Sequence, residues 1–133
     1  MTIDNDSEGK SLPIRVLVAN MSGVLLEIVM RAIQQQPDMT IRHYKKDLAG
    51  LALAVGDQTD VLIMDAPYLY PPPTICNDLW LSFPALKVLV LTVSGDAAVV
   101  YWLNVERHRL KTVSAHTLVS SIRHVHRLDL TAE

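Results

Sequence analysis

The residues best placed for chemistry stand at the ends of apolar runs. Asp65 closes the run Val61–Met64, Thr92 closes Leu86–Leu91, Asn20 and Met21 follow Ile14–Ala19, and Lys111 follows the extended segment Arg107–Leu110. Asp65 supplies a carboxylate, Thr92 a hydroxyl and Lys111 an ammonium. Two ordinary roles are open to them. Asp65 and Lys111, if brought together, make an ion pair in which each charge stabilises the other. A threonine at a strand end commonly bonds the backbone of the next turn. Four histidines, His108, His116, His124 and His126, crowd the C-terminal part. Imidazole suits zinc or nickel, but His124 and His126 are two positions apart and fall on different faces of a helix, as solvated histidines do. Cys76 is the single cysteine. It excludes an internal disulfide and a cysteine-rich metal site, and reads as a small packed side chain.

The elements that must position these residues follow from periodicity. Ile14–Ala19 (IRVLVA) is a buried strand. Val24–Gln36 repeats apolar residues at helical spacing until Pro37 ends it. Thr40–Tyr44 alternates as a strand, and Leu48–Val55 is a helix stopped by Gly56. After Val61–Met64, Pro67 and the triplet Pro71-Pro72-Pro73 require a loop. Thr74–Phe83 reads as a short helix and Leu86–Val93 as a buried strand. Ala97–Leu103 reads as another short helix, Arg107–Thr112 as extended, and Ser114–Leu128 as the closing helix. Alternating strands and helices call for a parallel sheet covered on both faces. In such sheets, chemistry gathers outside the carboxyl ends of the strands.

Composition narrows the function. The 133 residues make one domain, expected over 13–128, with a flexible polar segment at 1–12 and a short tail at 129–133. Half the residues are apolar and 20% are charged, which excludes bulk disorder. Twelve Lys and Arg stand against 14 Asp and Glu, a net charge of −2, which argues against direct nucleic-acid binding. No run approaches the roughly 20 apolar residues of a membrane span, and Met1–Ser11 lacks the apolar centre of a signal peptide. A cytoplasmic protein is therefore expected. No phosphate-binding glycine loop, nucleophile elbow or His-Glu metal motif points to an enzyme.

The strand-end residues, in their order and spacing, resemble the response-regulator receiver family of two-component signalling, over about Ile14–Leu128. The resemblance rests on IRVLVA, on DVLIMD ending at Asp65, on VLVLT ending at Thr92, and on Lys111 before the last helix. It implies a flavodoxin-like (βα)5 sandwich with strand order 2-1-3-4-5. It places Asp65 at the phospho-acceptor position, Thr92 and Lys111 at the phosphoryl contacts and His108 at the aromatic switch position.

The two acidic metal-binding positions of that family fall on Asn20 and Met21. A thioether is a poor partner for Mg²⁺, which wants oxygen ligands. Losing the metal removes most of the rate of phosphoryl transfer. No cofactor is therefore expected. The interval from Thr92 to Lys111 is short for the family, which puts its fourth helix in question.

The expected activity is binding, to a protein partner or to a second copy, within a signalling system but without a normal phosphorylation cycle. Two alternatives stand beside it. One is a phospho-acceptor using Asp65 with a weakened Mg²⁺ site and an upstream histidine kinase. The other is a small-molecule sensor with its ligand among Asn20, Met21 and Asp65. Candidate partner surfaces are Tyr68 and Tyr70 beside the rigid proline run, and Tyr101 and Trp102 on the short helix at 97–103. The arginines and histidines of the C-terminal third form a basic patch suited to an acidic partner.

Overall fold

A computed structural model of the chain describes residues 12–103, 108–110 and 113–131; at 48, 57, 108–110 and 127–131 it describes the backbone alone. Of the expected N-terminal segment at 1–12, residues 1–11 lie outside the described residues. Strand β1 (Ile14–Ala19) is the centre of the architecture. It pairs in parallel with β2 (Met39–Tyr44) on one side and with β3 (Val61–Ala66) on the other, and β3 pairs in parallel with β4 (Lys87–Thr92). Their near-continuous apolar runs are what two covered faces demand.

Alternation sends Val16, Val18, Ile63, Leu89 and Leu91 to one face. There they pack against Val29 and Ile33 of α1 (Gly23–Gln34) and Leu118, Ile122 and Val125 of α4 (Ala115–Thr131). Leu17, Leu62, Met64, Val88 and Val90 face the other way, against Leu51 and Val55 of α2 (Leu51–Val55) and Cys76 and Leu79 of α3 (Ile75–Ser82). A 3-10 turn at Leu48–Gly50 precedes α2. Helix α4 opens on a reciprocal cap, in which Ser114 Oγ accepts from Thr117 N–H at 3.2 Å and Thr117 Oγ1 accepts from Ser114 N–H at 2.8 Å. It runs to Thr131, past the expected end at Leu128.

The segment after β4 corrects the sequence reading. Instead of a helix over 97–103, β5 (Ala98–Tyr101) turns back antiparallel to β4, and β6 (His108–Leu110) runs antiparallel to β5. The sheet order is β2-β1-β3-β4-β5-β6. The flavodoxin-like layering and the order 2-1-3-4-5 hold, while the sheet stops being parallel at β5 and gains a sixth strand. The physical reason is local. Val99, Val100 and Tyr101 are β-branched or aromatic, suited to a pleated surface, and Gly95 (φ 79°) supplies the turn that folds them onto β4. The turn closes through Gly95 N–H to Thr92 O at 2.7 Å and Thr92 N–H to Ala97 O at 2.9 Å.

The apolar side chains expected on an exposed helix are therefore internal. Val99 and Val100 are fully buried, Tyr101 is 7% exposed and Trp102 packs against the core. Tyr101 and Trp102 do not form the free docking face expected of them.

Candidate functional site

Strands β1 and β3 end side by side, and their last residues build a basin at the carboxyl edge of the sheet. Asn20 leaves β1 with φ 58°, in the left-handed region that asparagine tolerates better than most residues. Its Nδ2 donates a long hydrogen bond to the backbone O of Asp65 at 3.4 Å, which ties the two strand ends together. Met21 turns inward, 7% exposed, and joins the apolar core under α1. Asp65 is half-buried, and desolvation by that burial raises its carboxyl above the usual range, against a smaller lowering by its own backbone N–H. Across a cavity of about 560 Å³, the end of β2 contributes His43 and the segment leaving it Lys45 and Lys46.

Thr92 does not join this basin. Register pairs Thr92 with Ala66 and Asp65 with Leu91, so strand alternation sends the Asp65 and Thr92 side chains to opposite faces. The Thr92 hydroxyl is used within its own hairpin. Its Oγ1 donates to Asp96 Oδ1 at 2.8 Å and accepts Ala97 N–H at 3.2 Å. Ser94 Oγ donates to the same carboxylate oxygen at 2.7 Å. The hydrogen bonds from Ser94 and then Thr92 hold the Asp96 carboxyl below its ordinary range. The bland expectation for Thr92, a strand-end hydroxyl bonded to the next turn, describes its geometry.

Lys111 lies outside the described residues, and His108 is described only as backbone at the start of β6. Strand β5 separates β6 from β4 and from the Asp65 edge of the sheet. Asp65 pairs with Leu91, Leu91 with Ala98, and Ala98 with Leu110. Leu110 thus stands three strand spacings from Asp65, roughly 14 Å at the usual separation of neighbouring strands.

No group of three or more His, Cys, Asp or Glu among the described residues could hold a metal ion. His116 and His124 are exposed. His126 lies at the opposite end of the sheet, in a cleft with Arg15 and Asp60. Cys76 is buried and its thiol is pushed up to about 12 by desolvation, so it is a packed side chain without nucleophilic character.

Tyr68 is 60% exposed, and Tyr70 sets its ring edge-on to Tyr101 (centroids 6.3 Å apart, planes at 82°). The Tyr101 hydroxyl donates to Leu69 O, anchoring the loop ahead of the prolines onto β5.

Sequence reasoning missed the basic wall of the basin. The signal was present, since Lys45-Lys46 directly follows the alternating strand 40–44, and the strand-end rule applied to β1, β3 and β4 holds equally for β2.

No protein-family model matches the chain, and no curated protein matches it by sequence. Among solved structures, the chain is similar to the RcsB response regulator of Salmonella typhimurium, described for its conformational dynamism in DNA interaction. The TM-score is 0.48 at 19% sequence identity, over 64% of this chain and 44% of that one. The chain thus spans less than half the length of that protein. Likeness of this degree speaks to neither activity nor partners.

Proposed function

We propose that this chain is a receiver-like signalling module that acts by binding a protein partner, or a second copy of itself, without a Mg²⁺-dependent phosphorylation cycle. The observation that carries the reading is the commitment of the Thr92 hydroxyl to Asp96 and Ala97, away from the Asp65 basin. The donor set of the basin points the same way. A hard cation at Asp65 would meet one carboxylate and the neutral amide of Asn20, while Met21 offers a thioether and is buried in the core. These residues do not fit Mg²⁺.

Binding in place of catalysis is part of this reading, as is a cytoplasmic location. No helix among the described residues is long and apolar enough to cross a membrane. The surface best suited to a partner is the loop of Tyr68 and Tyr70 with Pro71–Pro73, whose stiffness lowers the entropic cost of binding.

Intact-mass spectrometry after incubation with acetyl phosphate and Mg²⁺, beside Asp65→Asn, tests the reading. The expected result is no phosphoryl adduct on either protein. An adduct on the native chain that disappears in Asp65→Asn would overturn it in favour of a working phospho-acceptor.

A further inference from the structure

The Asp65 basin carries charge of both signs. Lys45 and Lys46 are exposed on one wall, and Asp65 stands half-buried on the other. No ion pair joins them to each other or to any other described residue. Leu26, partly buried against the core, also lines it. At about 560 Å³ the space far exceeds a single ion and falls in the range of small-molecule pockets.

Two lysines and a carboxylate that line one basin, with no ion pair among the described residues, make a site for a molecule that is itself two-ended. From this geometry we propose that the basin binds a small phosphorylated molecule of mononucleotide size with an amine-bearing ring. Its phosphate meets Lys45 and Lys46 in charge-assisted hydrogen bonds. Its amine donates to the Asp65 carboxylate, which when ionised can only accept. Its ring covers Leu26. The proposal rests on the reading that Asp65 is not a phosphoryl acceptor, since a phosphorylated Asp65 would repel the guest. It gives that reading a regulatory input, in which occupancy of the basin replaces phosphorylation as the signal.

Isothermal titration calorimetry on the full chain, in EDTA and with no phosphoryl donor, decides the matter using AMP, CMP, inorganic phosphate and adenosine as probes. AMP or CMP should bind saturably, about tenfold or more tighter than phosphate or adenosine alone, because each of these keeps only one of the two anchors. The Lys45→Gln/Lys46→Gln double variant should weaken the nucleotide about tenfold or more and leave adenosine unchanged. Asp65→Asn should weaken the nucleotide and leave phosphate unchanged or slightly tighter. Nucleotide binding no tighter than phosphate, or binding that survives loss of both lysines, would overturn the proposal, as would no saturable binding at all. None of these outcomes touches the phosphorylation reading, which fails only on a mass adduct.

Discussion

At the first turn after β1, one residue is held by backbone geometry and the next by burial. Asn20 sits in a left-handed conformation, so Asn20→Gly should be nearly neutral while Asn20→Val should cost about 1–2 kcal/mol in urea unfolding. Met21 is part of the core, and Met21→Asp would place a carboxylate among apolar side chains. We expect it to cost about 3 kcal/mol or more and to restore no metal site, which unfolding and Mg²⁺ titration would register together. Asp65 makes a prediction of opposite sign. Burial raises its folded-state pKa above the unfolded value. Its favourable contribution is therefore complete below the unfolded value, near pH 4, and is lost as pH rises through the folded one. Asp65→Asn should accordingly melt higher than the native chain at pH 7, with the gap closing as the pH falls through the folded value toward about 4.

The β4–β5 hairpin is the element on which the sequence reading and the structure part. Ala97–Leu103 is a continuous apolar run, and such a run has no periodicity to separate a buried strand from a buried helix. The reading of the residues put a helix there. The β-branched and aromatic content of Val99–Tyr101, the turn at Ser94-Gly95 and the short interval from Thr92 to Lys111 all suit two extended strands. By contrast, β1, β3, β4 and the long helices were legible because their runs are bounded by prolines, glycines or strand-end polar residues. The Asp65 edge was half legible. Asn20, Met21 and Asp65 could be placed from strand ends, whereas the use of Thr92 depends on which face it takes and that is a matter of register.

Two substitutions probe the hairpin. Thr92→Val removes a hydroxyl that both donates and accepts, and should cost about 1–2 kcal/mol. Tyr101→Phe removes the bond to Leu69 O, and should cost about 1 kcal/mol and speed proteolysis within 68–73 relative to the native chain.

Across the whole molecule, a few polar ties join elements that are distant in sequence and lie over a continuous apolar core. Arg15 grips the Asp60 carboxylate with its side chain and backbone N–H, linking β1 to the approach to β3. Arg123 of α4 reaches the connection between α1 and β2, where Nε and Nη2 bind the two Asp38 oxygens at 2.7 and 2.8 Å and Nη2 also donates to Gln36 Oε1 at 2.8 Å. The fork geometry makes this pair stronger than an ordinary surface contact. Its exposure to solvent still limits it to about 1 kcal/mol. The Arg123 hydrogen bond holds the Asp38 carboxyl below its usual value, so the tie is complete above the unfolded carboxylate pKa and is lost as pH falls through the folded one. Arg123→Ala should therefore destabilise the chain by about 1 kcal/mol at pH 7 and by much less near pH 3. A double-mutant cycle with Asp38→Ala should give a coupling of about 0.5–1 kcal/mol that shrinks in 1 M salt. A cost of Arg123→Ala that persists undiminished at low pH would mean that Arg123 holds α4 mainly through Gln36, and that the carboxylate adds little to the seating of the last helix.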